Sequence, residues 1–117
     1  MQIKLSNNFE KNLYIIYEFI SKDKLSAAQN FKKELLKTIK ALSDFPLKYR
    51  KSYYFDDENI RDLTFKGYTI VYEVDFDKKE IFVFHIFNKN LPINIKKENE
   101  NDSYWKVFSI WYKRIRS

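Results

Sequence analysis

The chain has no cysteine, one glycine, one histidine and two prolines among its 117 residues. Without cysteine there can be no disulfide, no thiolate nucleophile and no Cys-ligated zinc, which agrees with a reducing compartment. One histidine and scattered carboxylates give no ligand spacing, so neither a metal nor another cofactor is expected. No apolar run approaches the length of a membrane span, and Met1-Gln2-Ile3-Lys4 carries no apolar core of a signal peptide. The expectation is a cytoplasmic protein with no membrane partner.

What is present is a body large enough for one core, with 44% hydrophobic residues, 9 tyrosines and 11 phenylalanines. The net charge of +6 and pI near 9.4 favour an anionic partner: nucleic acid, a nucleoprotein or an acidic protein. An AT-rich genome also enriches Lys, Asn, Ile, Tyr and Phe, so codon drift is a second source of the basic bias.

Local patterns give an element order. Gln2-Ile3-Lys4-Leu5 alternates and suffices for one edge strand. In 8–21, Phe9, Leu13, Ile16, Tyr17 and Ile20 recur at helical spacing, with Asn7 and Glu10 as a capping box. In 26–43, Ala28, Phe31, Leu35, Ile39 and Leu42 form a second apolar stripe, with Ser26 as N-cap and Asp44-Phe45-Pro46 as the stop. The stretch between them is short enough to make an αα-hairpin. Then 59–74 and 80–87 read as a three-stranded antiparallel meander. Its corners are Lys66-Gly67, where glycine can take a positive φ, and the polar 75–79 turn. Arg61 opens the first of these strands and Lys89 follows the last, placing cations at the sheet margin.

This β-α-α-β-β-β order, an α+β fold, carries Leu25-Ser26-Ala27-Ala28-Gln29-Asn30-Phe31 at the head of the second helix. Leu42, Phe45-Pro46 and Arg50 follow it, then Ile60-Arg61-Asp62-Leu63, the strand from Gly67 to Val74, and Ile81 to Phe87. In order and spacing these residues resemble toxins of the RelE/ParE superfamily from bacterial type II toxin–antitoxin systems, over residues 2 to 92. The resemblance implies a toxin domain at 1–92 and a cognate antitoxin as partner. It implies one of two targets. RelE-like members cleave messenger RNA on the ribosome, and ParE-like members bind DNA gyrase.

Ribonucleolysis requires a base for the 2′-hydroxyl, cations for the phosphate and an acid for the leaving oxygen. Nuclease members place Arg, His or Tyr just after the last strand. Here the stretch is Asn88-Lys89-Asn90-Leu91-Pro92, whose amides cannot exchange a proton near neutrality, so the ParE-like, gyrase-binding reading is preferred. If the chain were a metal-independent nuclease, the candidates would be Arg61, Lys89, His85 and Tyr72. His85 is either a base poised near neutrality or a packing residue. Tyr72 shares a strand face with Tyr68, Ile70 and Val74, which points to the core. Arg61 matches an arginine on both sides of the mechanistic division, or pairs with Asp57 or Glu58. Arg50 matches the family's basic position after Phe-Pro, or is a solvated loop charge. A degenerate, non-toxic member is the remaining reading.

In the last strand Ile81, Val83 and Phe87 are expected on one face and Phe82, Phe84 and Ile86 on the other. Both faces are apolar, so the second should bind either the antitoxin, through Phe82, Phe84 and Ile86, or the chain's own tail. That tail follows a polar linker at 93–103. In 104–117, Tyr104, Phe108, Trp111 and Ile115 recur at helical spacing beside Lys106, Lys113, Arg114 and Arg116, the pattern of a short amphipathic helix. By analogy with the ParE branch, Arg50, Arg61, Lys89 and Trp111 are expected to contact the target.

Overall fold

The computed structural model describes residues 1–88. Lys89, Trp111, the 93–103 linker and the 104–117 helix expected above lie outside the described residues. Strand β1 (Gln2–Leu5) leads into helices α1 (Asn7–Asp23) and α2 (Leu25–Lys40), and a 3₁₀ turn at Ala41–Ser43 closes the hairpin. Four strands follow: β2 (Arg50–Lys51), β3 (Ile60–Phe65), β4 (Tyr68–Asp75) and β5 (Glu80–Asn88). They form one sheet in the order β1-β5-β4-β3-β2, with β1 parallel to β5 and every other pair antiparallel. The expected α+β order is present, and the two-residue β2 is an addition to it.

The helix caps differ from those expected. Ser6, not Asn7, caps α1: its backbone is extended, and its Oγ accepts from the Phe9 N–H at 2.9 Å. The residue is already fixed there as the end of β1, because its own N–H donates to the Val83 carbonyl at 2.9 Å. Helix α2 starts at Leu25 with no side-chain cap, since α1 runs on to Asp23 and the extended Lys24 alone reverses the chain. Ser26 therefore sits inside the first turn.

Lys66 and Gly67 both take positive φ, 47° and 86°, which suits the tight turn between β3 and β4. A β-bulge interrupts the β4–β5 ladder: Val71 pairs with His85 but Tyr72 pairs with Val83, so Phe84 is the extra residue. The bulge inverts the alternation that follows it. Ile86 therefore joins Ile81 and Val83 in the core against the helices, and Phe87 joins Phe82 and Phe84 on the outer face. This corrects the expected placement of Ile86 and Phe87, which assumed an unbroken period of two.

The core between the helices and the sheet contains Phe9, Leu13, Phe31, Leu35, Ile39 and Leu42, packed on Leu63, Ile70, Tyr72, Val74, Ile81, Val83 and Ile86. A smaller cluster lies on the outer face, where Phe55 meets Ile60, Val71 and Phe84. Ser6 ties the bulge to the helices as well, since its hydroxyl donates to the Phe84 carbonyl at 3.1 Å. Replacing Ser6 by alanine removes the cap and this bond together. A loss of about 1–2 kcal/mol is expected in urea unfolding, and an unchanged midpoint would show that the junction contributes nothing.

Candidate functional site

Three of the candidate residues, Arg50, Arg61 and Tyr72, gather where the 44–54 segment runs past β3 and β4. Phe45-Pro46 stops the helical path, and the Pro46 carbonyl accepts from the Tyr72 hydroxyl at 2.7 Å. The Tyr72 ring is fully buried, and that burial pushes its phenol pKa well above the usual tyrosine range. Such a phenol is a bolt between loop and sheet and a poor proton donor at neutral pH.

Beside it, Arg61 reaches back under the same loop. Its Nε donates to the Glu58 carbonyl at 2.9 Å and its Nη1 to the Tyr49 carbonyl at 3.1 Å, with the Glu58 carboxylate 3.8 Å from Nη2. Only 15% of the side chain is exposed. The pairing of Arg61 with Glu58, one of the two carboxylates expected for it, is present, and the guanidinium holds the loop. The cationic margin expected at Arg61 is therefore mostly internal.

Arg50 takes the outward position instead. As the first residue of β2 it lies opposite Asp62 in the ladder, and its Nη1 is 3.2 Å from Oδ2 of that carboxylate. Asp62 is fully buried, while Arg50 keeps 37% of its side chain exposed. The guanidinium carbon lies 3.5 Å from the centroid of the Tyr53 ring, and the Tyr53 N–H donates to the same Asp62 oxygen at 3.1 Å. Arg50 is thus no solvated loop charge: a buried carboxylate orients it from below and an aromatic ring flattens it from the side. Asp62 Oδ1 has no hydrogen-bond partner among the described residues. Next to this group, Lys51, Ser52, Tyr53, Tyr54, Phe55 and Asp56 line an open groove of about 560 Å³. Burial and the Asp62 carboxylate push the Tyr54 phenol pKa up, so it too stays protonated.

His85 is remote from Arg50 and Arg61 in the sheet, on β5 beyond β4. It is 2% exposed, its Nδ1 lies 3.2 Å from Nδ2 of Asn8 in the first turn of α1, and its ring is 5.2 Å from that of Phe87. Burial pushes its pKa down to about 3, so it is neutral at physiological pH. The packing reading of His85 fits this environment. Phe82 and Phe84 do come together, stacked at 5.8 Å, with Phe55 set edge-on to Phe84 at 5.5 Å. Ile86, grouped with them from the sequence, faces the helices.

The structure therefore joins Arg50, Arg61 and Tyr72 at one corner, Tyr72 as a buried packed group opposite Arg61 in the ladder, joins Phe82 and Phe84 on the outer face, and keeps His85 apart from that corner. Sequence reasoning missed Asp62 and Tyr53. The signal was Asp62 alternating with Ile60 and Thr64 on the outer face of β3, since a carboxylate in a buried strand requires a cation or an N–H donor. Among the described residues, no group of three or more His, Asp or Glu side chains could hold a metal ion, and no helix is long and apolar enough to cross a membrane.

Comparison with known proteins bears on the fold. No curated protein matches the sequence. Among solved structures, the chromosomal ParDE TA system from P. aeruginosa superposes with a TM-score of 0.61 at 18% identity, over 75% of this chain and 95% of that one. The isolated E. coli RelE toxin gives a TM-score of 0.48 at 17% identity, over 86% of this chain and 96% of that one. The family model described as the ParE toxin of the type II toxin–antitoxin system parDE matches residues 3–90. The chain belongs to the ParE toxin family.

Proposed function

We propose that this toxin acts by binding, with DNA gyrase as its target and a cognate antitoxin as the partner that neutralises it. One observation carries the preference for binding over cleavage. The titratable candidates for proton transfer are held inside the fold: Tyr72 is bonded to the Pro46 carbonyl, and His85 is buried and neutral beside Asn8. Arg61, the candidate phosphate cation, is committed to two backbone carbonyls. What faces outward is the Arg50–Tyr53 pair over Asp62, which suits recognition of an acidic or hydrogen-bonding surface on a protein.

Two assays side by side test this reading: supercoiling by purified gyrase, and messenger RNA integrity in a translating extract. The expected result is altered supercoiling with intact message. Ribosome-dependent cleavage that disappears on Arg61→Ala would overturn it, and no effect in either assay would mark a member that has lost toxicity. Arg50→Gln removes the outward cation, and gyrase binding is expected to weaken about tenfold, equivalent to about 1.4 kcal/mol. The variant's circular dichroism serves as the control for folding. His85→Gln should leave the effect on gyrase supercoiling at neutral pH near that of the unmodified protein.

A further inference from the structure

Helix α1 is apolar on two sides. Phe9 and Leu13 are buried on its inner side, and Ile16 and Ile20 pack against the same core. The outer side of such a surface helix is normally polar. Here it carries Tyr14, Ile15 and Phe19, which are 63%, 55% and 70% exposed. Tyr14 and Ile15 are adjacent in the chain and Phe19 follows Ile15 by one turn, so the three make one patch, of the kind that marks a protein contact when polar residues rim it. We propose that this face binds the same face of a second copy, with the two α1 helices antiparallel about a two-fold axis that passes between Tyr14 and Ile15.

The charges around the patch select this occupant. Lys11 and Glu18 are both exposed and flank Tyr14 and Ile15 on the same side of the helix. They stand two turns and about 10.5 Å apart, beyond the spacing at which side chains pair along one helix. Neither forms an ion pair with any described residue. Their midpoint is the Tyr14–Ile15 bond. In an antiparallel pair centred there, Lys11 of each copy meets Glu18 of the other, so that two ion pairs close around the apolar centre. This is the reciprocity a two-fold axis requires, with residue i meeting j as j meets i. Lys22 falls opposite Asn7, so no like charges are opposed. A parallel arrangement would set Lys11 against Lys11 and Glu18 against Glu18, which repel.

The size of the face sets the strength of the contact. Helix α1 has 17 residues, a length of about 25 Å. At the spacing of packed helices, about 8–10 Å, each Phe19 would extend the apolar centre over the aliphatic stem of the other copy's Lys11. A contact along one helix buries less than the roughly 1,200 Å² of a stable interface, so the association is expected to be weak and reversible, in the micromolar range. The face is separate from the Arg50 corner: α1 packs on α2 and β5, whereas Arg50 lies on the edge strand β2. Because Lys11, Ile15 and Glu18 are exposed, substituting them leaves the core of the monomer in place.

Sedimentation velocity of the full-length protein tests this. The unmodified protein is expected to shift from monomer towards dimer as its concentration rises from about 1 to about 100 μM. Lys11→Glu and Glu18→Lys should each weaken self-association about tenfold or more, because each sets like charges against one another at both pairs. Mixed together, the two variants should associate again, since one then presents two carboxylates and the other two ammonium groups. Ile15→Lys, at the two-fold centre, should abolish association, and circular dichroism checks that every variant is folded. A monomer at every concentration would overturn the proposal and leave the face to a partner of another kind. A dimer indifferent to all three substitutions would overturn it by placing the contact elsewhere on the protein. Single variants that stay monomeric even when mixed would overturn the antiparallel pairing of Lys11 with Glu18, and the proposal with it.

Discussion

Truncating Ile86 to alanine is expected to cost about 2–5 kcal/mol of folding stability, the range for emptying a well-packed aliphatic position. Ile86 is 2% exposed and belongs to the cluster beneath the helices, with Val83 and Ile81. The measurement is urea unfolding followed by far-UV circular dichroism. A loss below about 1 kcal/mol would place Ile86 at the periphery and contradict the phase change made by the bulge. The same substitution on a regular strand would have emptied the outer face instead and left the helix packing untouched.

That contrast shows where the sequence was informative. The stripes of α1 and α2, the Lys66-Gly67 corner and the apolar strands were all legible, because each depends on a local period or a local backbone preference. The bulge was not, because nothing in Phe82-Val83-Phe84-His85-Ile86-Phe87 distinguishes a period of two from one inserted residue. What determines it is distant in the chain: Ser6 and Asn8 meet β5 at Phe84 and His85. The same limit applied at the site. Arg50 and Arg61 were found as cations, but their roles come from partners across the ladder and the loop. Asp62 lies opposite one, and the Tyr49 carbonyl accepts from the other. Caps were missed for a related reason, since the end of β1 fixed Ser6 before the neighbouring asparagine could serve.

Acid should unfold this protein earlier than its carboxylates alone would require. The imidazole of His85 has an ordinary pKa of 6.5 when solvated, and burial pushes it down to about 3 in the folded state. Below pH 6.5 the unfolded chain therefore binds a proton that the folded chain refuses. Stability from this group is intact above that value. It falls by about 1.4 kcal/mol per pH unit on acidification until the folded-state pKa is reached. A loss of about 2 kcal/mol is expected by about pH 5. His85→Gln removes the titration, so the difference between the two stability profiles isolates the histidine from ion pairs such as Arg50–Asp62. Parallel profiles between pH 7 and about 4 would show that the ring is hydrated or protonated in the fold.

The parallel pairing of β1 with β5 sets a condition on synthesis. The chain's first strand finds its neighbour among the described residues nearly eighty residues later, at Glu80 to Val83. The αα-hairpin and the β3–β4 and β4–β5 hairpins are local and can form as the chain emerges, whereas closing β1 onto β5 is the most sequence-distant event in the fold. A nascent or prematurely terminated chain that stops before β5 has neither the bond from Ser6 to the Phe84 carbonyl nor a partner for β1. Interrupted translation would then release fragments for proteolysis in place of working toxin, so that folding itself acts as a check on completeness.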